Sequence, residues 1–105
     1  MDRVMDYTVR DSGGVRELEL RGQMTFEADA GFREILAEWE KGSIAECVLN
    51  LSAVEYMDSA GLGLLVLAKN AAKRTGVAFR IKHPRGQVRE LIEISEFHTI
   101  IPCEF

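Results

Sequence analysis

Polar and apolar residues alternate along "VMDYTVR" at residues 4–10 and more clearly along "VRELELR" at 15–21, where Val15, Leu18 and Leu20 are the expected inward positions. The intervening "DSGG" supplies Gly13 and Gly14, whose permissive backbone suits a tight turn. Together these segments predict a β-hairpin. After Gly22 the period lengthens. Phe32, Ile35, Leu36 and Trp39 fall at i, i+3, i+4 and i+7, with Glu34, Glu38 and Lys41 on other faces, which predicts an amphipathic helix. Thr25 is the expected N-cap, Glu27 suits the positive end of the helix dipole, and Gly42 is placed to end the last turn. A tryptophan inside such a stripe belongs to a core, so Trp39 is given no functional role.

The second half repeats a strand-then-helix rhythm. "AECVLNL" at 45–51 predicts a strand, "SAVEYM" at 52–57 a loop, and residues 59–74 a helix that Gly76 stops. "VAFRIK" at 77–82 predicts a strand, "RGQVRELIEI" at 85–94 a helix, and "HTIIPC" at 98–103 a last short strand. Pro84 and Pro102 punctuate element ends. The order β-β-α-β-α-β-α-β predicts an α/β sandwich with a mixed sheet, and 105 residues without linker or repeat predict one domain over 1–105.

With 47% hydrophobic and 29% charged residues, the chain has the composition of a soluble globular protein. Its net charge of −4 argues against a phosphate-backbone partner, which needs accumulated Lys and Arg. The longest apolar run, Leu62 to Ala68, falls far short of a membrane span, and "MDRVMDYTVRD" has no apolar signal-peptide core. A cytoplasmic protein with a protein partner is expected. Cys47 and Cys103 lack metal-site spacing and read as reduced thiols, with a disulfide between them left open.

The chemistry concentrates in "EYMDSAGLGLL" at 55–65. If the helix starts at Ser59, then Asp58 is its N-cap, accepting a backbone N–H that would otherwise lack a partner. That role alone explains Asp58. Ser59 then occupies the first turn, where a hydroxyl is accessible and added negative charge is tolerated. Gly61 and Gly63 each cost a helix about 1 kcal/mol relative to Ala, so each needs a close approach, either to the sheet or to another molecule. The run "LLVLA" has more apolar positions than one narrow stripe, leaving some for a partner.

These residues carry a resemblance. "VLNLSAVEYMDSAGLGLLVLAKNAAKRTG", with "LRGQMTFEADAGFREIL" before it and "GVAFRIKHPRGQVRELIEISEFHTII" after it, resembles STAS-domain proteins and in particular the bacterial anti-sigma factor antagonists. Their D-S-[SA]-G-[LIV]-G motif stands here as Asp58, Ser59, Ala60, Gly61, Leu62 and Gly63, and these six are the implied partner-binding residues. The resemblance implies that Ser59 is a phosphoacceptor. A GHKL-type anti-sigma factor kinase would phosphorylate it with ATP and magnesium, and a PP2C-type phosphatase would reverse the step. The unphosphorylated form would bind the anti-sigma factor. The chain itself would be a binding module with no catalytic residue, cofactor or metal. Two features depart from the family pattern. Thr25 stands near where many relatives place Asp, and the sequence reaches Phe105 soon after its last predicted strand, where many relatives continue into a helix. A related reading is a partner-switch module with an output other than a sigma factor.

Two other classes fit less well. Gly61-x-Gly63 suggests a nucleotide loop, but the third glycine position is Val66 and the next strand runs into Lys82 and His83 without an acidic residue. A serine hydrolase elbow needs G-x-S-x-G, and Met57 replaces its first glycine, with His83 and His98 candidate bases only by default. Lys69 and Lys73 read as a solvated helix face, with a docking role left open.

Overall fold

Gly13 and Gly14 take φ of 58° and 80°, the doubly left-handed pair that a two-residue hairpin turn requires. The turn joins strand β1 (Met5–Ser12) to β2 (Val15–Met24), antiparallel with Ser12 opposite Val15. The structure, a computed structural model, describes residues 5–39 and 44–105, so Lys41 and the expected stop at Gly42 lie outside the described residues. Leu18 and Leu20 are buried as expected, but Val15 is only half-buried. An odd spacing of three puts it on the opposite face of a period-2 strand.

A 3-10 turn, Phe26–Ala28, precedes helix α1, Asp29–Trp39. Thr25 has the extended backbone of a cap, yet its side chain caps nothing; its carbonyl instead accepts from Ala28 N at 2.9 Å. The expected side-chain cap is therefore replaced by a backbone turn. Phe32, Ile35 and Trp39 are buried along the predicted stripe, and Trp39 packs tilted against Phe79 with ring centroids 5.4 Å apart.

Strand β3 runs from Glu46 to Met57 and absorbs the predicted loop at 52–57. The cause is β2, which continues past Leu20. Its Arg21, Gly22, Gln23 and Met24 pair in parallel with Ala53, Val54, Tyr56 and Met57 and supply the ladder bonds the segment needs. Two register shifts fall in this stretch, between Glu19 and Arg21 and between Gly22 and Gln23, and break the alternation by which a strand is recognised. Helix α2 (Ser59–Thr75) follows, closed by Gly76 at φ 73°. Strand β4 (Ala78–Lys82), helix α3 (Gly86–Ile94) and strand β5 (Cys103–Glu104) complete the order.

The last strand is shorter than predicted, because Phe97–Thr99 form a 3-10 turn and Ile100 N and Ile101 N both return to the Phe97 carbonyl, at 3.0 and 2.9 Å. Those donors are spent locally, not across the sheet. His98 thus sits in this turn instead of starting a strand. The sheet order is β1-β2-β3-β4-β5, antiparallel at the first pair and parallel thereafter, the mixed α/β sheet the sequence predicts. Side chains tie the strands together, in one case from β2 across β3 to β4. Glu17 reaches Lys82 Nζ at 2.8 Å and accepts from Asn50 at 3.1 Å, and Arg80 joins Glu46 at 3.0 Å to Glu104 at 2.8 Å.

Both cysteines are free, Cys47 buried and Cys103 partly so. Burial pushes the Cys47 thiol up to about 12 and the Cys103 thiol up to about 11. Only thiolate reacts, so at pH 8 the folded protein should take up iodoacetamide at least about 100-fold more slowly at Cys47 than the unfolded chain does. Equal rates, read by mass spectrometry, would contradict the burial.

Candidate functional site

Strand β3 delivers the chain to the start of α2 under tight local control. Asp58 is extended (φ −115°, ψ −170°), its Oδ1 accepts from Gly61 N at 3.1 Å, and its carbonyl accepts from Leu62 N at 3.2 Å. The expected N-cap is present. Asp58 N also donates to the Met24 carbonyl at 3.4 Å, linking the helix start to the end of β2. Ser59 is the first residue of α2, exposed, and its hydroxyl makes no hydrogen bond with the described residues. The N–H groups of a helix's first turn lack intrahelical partners and favour negative charge, so this hydroxyl sits in a field that accepts an anion.

The two glycines do different things. Gly61 is buried, and a Cβ there would run into the Met24 carbonyl oxygen and Met57 Cγ and lie 3.2 Å from Met24 Cβ. It is the close approach of helix to sheet. Gly63 is exposed with nothing within 4 Å of a Cβ, so the domain itself makes no use of its bareness. The apolar run divides likewise: Leu64, Leu65 and Ala68 are buried, Leu62 and Leu67 half-buried, and Val66 is 36% exposed. Ser59 and Gly63 thus face outward with Asp58, Ala60 and Leu62 partly exposed between them, and Gly61 lies beneath.

Two nearby residues escaped the sequence reading. Gln87, on α3, accepts from Met57 N at 2.9 Å through Oε1 and donates to Met57 O at 2.7 Å through Nε2. It pairs with the backbone as a neighbouring strand would and fixes the residue before Asp58. No local pattern announces a bond across thirty residues. Phe26, on the 3-10 turn that touches α2, is 72% exposed, and its signal was an unmatched aromatic in the polar "TFEAD". Replacing Gln87 by Ala leaves a partly buried N–H and carbonyl unpaired, an expected loss of about 1–3 kcal/mol in urea unfolding. An unchanged midpoint would show that the pair contributes nothing.

The other candidates lie apart from Ser59. Lys69 and Lys73 are further along α2, half-buried and exposed. His83 lines a groove of about 480 Å³ with Ser52, Arg85, Arg89 and Phe105, and His98 meets the Phe105 ring edge-on at 5.9 Å. Neither imidazole hydrogen-bonds Ser59, so neither pairs with it as a base. Among them there is also no group of three or more His, Cys, Asp or Glu placed to hold a metal ion, and no helix long and apolar enough to cross a membrane. Gly61, the first glycine of the suspected nucleotide loop, is committed to packing.

A hairpin feeding parallel strands and helices, with an exposed serine behind an aspartate cap on a helix tip, defines a small mixed-sheet domain that presents that serine to its surroundings. The family model described as STAS domain matches residues 6–104, and the chain belongs to the STAS-domain family. Solved structures share the fold. An anti-sigma factor antagonist from Mycobacterium paratuberculosis matches at 23% identity and a TM-score of 0.77, covering 95% of this chain and 85% of that one. The anti-sigma factor antagonist SpoIIAA in its unphosphorylated form matches at 15% identity and 0.72, over 95% and 89%. A sulfate transporter family protein from Wolinella succinogenes matches at 15% identity and 0.70, over 83% and 70%.

Proposed function

We propose that this chain is a phosphorylation-controlled protein-binding switch, an anti-sigma factor antagonist, and not an enzyme. In this reading residues 1–105 act as one cytoplasmic STAS domain that docks on a GHKL-type anti-sigma factor kinase through Asp58, Ser59, Ala60, Gly61, Leu62 and Gly63 while Ser59 is unphosphorylated. The kinase transfers the γ-phosphoryl group of ATP: the Ser59 Oγ–P bond forms, the bond to the β-phosphate oxygen breaks, ADP leaves, and the hydroxyl proton passes to a base of the kinase. A PP2C-type phosphatase hydrolyses the ester and restores docking.

The observation that carries this reading is the exposed, unbonded Ser59 hydroxyl at the start of a capped helix. A phosphate there brings a charge of about −1.5 to −2, which the helix start tolerates, so the fold persists while the docking face changes sign. The bare Gly63 lets a partner backbone approach closely. Support also comes from the likeness to SpoIIAA. Incubating the protein with a candidate kinase and MgATP should place one phosphate on the peptide bearing Ser59 and none on Ser59→Ala; phosphate elsewhere, or none with every kinase tried, would overturn the reading. The structural neighbour from a sulfate transporter family supports a second version, the same switch acting on a non-sigma output.

A further inference from the structure

The far end of α2 carries a second feature. A groove of about 360 Å³ is lined by Val77, Phe79, Ile100 and Pro102 together with Lys69 and Lys73, and among the described residues no acidic side chain lines it. Ile100 is 46% exposed. The two lysines are four residues apart and so share one side of the helix, and neither pairs with a described residue. This is an apolar seat beside two uncompensated cations, on a chain whose net charge is −4.

The complement of that surface is on the same molecule. Ile94, at the end of α3, is 81% exposed, the highest value among the exposed large hydrophobics of the described residues. Glu90 and Glu93 are also exposed and lie at i−4 and i−1 from it, so Glu90 and Ile94 share one side of the helix and Glu93 adjoins it. Glu93 contacts Arg89 at 3.3 Å, but both ends of that pair are about half exposed and the carboxylate can serve a second cation.

We infer that the groove receives the end of α3 from a second copy of this chain, with Ile94 against Phe79 and Ile100 and with Glu90 and Glu93 opposite Lys69 and Lys73. In this arrangement one knob fills one groove, a head-to-tail contact that leaves each dimer with one free knob and one free groove. The patch is smaller than a standard stable interface, so association is weak and concentration-dependent. Ser59 lies about 15–20 Å away along α2 and stays free to act.

Sedimentation equilibrium of the full chain should show a mass rising above the monomer between about 10 µM and 1 mM. Ile94→Lys, and separately Lys69→Glu with Lys73→Glu, should each hold the protein at monomer mass with unchanged melting temperature, since these side chains are exposed or half-buried. The two variants mixed should associate again but stop at the 1:1 dimer, because only one knob and one groove remain intact. The single tryptophan, Trp39, packs tilted against the groove residue Phe79, so its emission should shift with the same concentration dependence. A constant monomer mass up to 1 mM, self-association unaffected by either variant, or a mixed sample that stays monomeric would each overturn the inference. The experiment involves no kinase, so its failure leaves the switch at Ser59 untouched.

Discussion

Replacing Ser59 by Asp is expected to weaken binding to the proposed partner kinase about 100-fold, about 2.8 kcal/mol, while Ser59→Ala should bind constitutively. The size follows from placing a charge and a longer side chain at the centre of a closely approached surface, where an unpaired charge must be desolvated. Folding should respond very differently. Ser59 is exposed and bonded to nothing described, and an acidic residue in the first turn of a helix is favourable, so both variants should melt close to the parent. Calorimetry beside a binding titration separates the two effects. Equal affinity of the Asp and Ala variants would remove the switch, and a collapse of the Asp variant would mean that charge acts through the fold.

Gly61→Ala should cost about 2–3 kcal/mol, against a helix propensity that by itself favours Ala by about 1 kcal/mol. The steric effect wins because the obstacle includes the Met24 carbonyl, a backbone atom also engaged by Asp58 N, which cannot swing aside as a side chain end would. Gly63→Ala, two residues on, meets nothing and should be neutral or stabilising by up to about 1 kcal/mol. Opposite signs at two glycines of one motif, measured by urea unfolding, test the division of labour between them. A harmless Gly61→Ala would mean that the helix does not press on β2 and β3 as described.

The sequence disclosed what is decided locally. Asp58, Ser59 and Gly76 mark the two ends of α2 because capping and left-handed closure are short-range events, and the observed bounds, Ser59–Thr75, follow them. The stripe Phe32, Ile35 and Trp39 was legible for the same reason. Long-range bonding was not. Ser52 to Met57 looked like a loop because its strand character comes from pairing with Arg21 to Met24, and the register shifts there hide the alternation. The β-branched "TII" at 99–101 suggested a strand, but local bonds to the Glu96 and Phe97 carbonyls claimed its donors. Thr25 looked like a cap by residue type, and the 3-10 turn replaced its side chain with backbone. At the site, the serine and its neighbours were visible as a motif, whereas Gln87, which fixes the strand below them, is named only by the folded chain.

Because β3 is laddered to β2 as far as Met57, and Gln87 clasps that same residue from the other flank, there is no hinge between scaffold and serine. On the proposed docking face, a change at exposed Gly63 leaves the buried framework as it is, so in that reading partner choice can drift there without first having to survive a loss of stability.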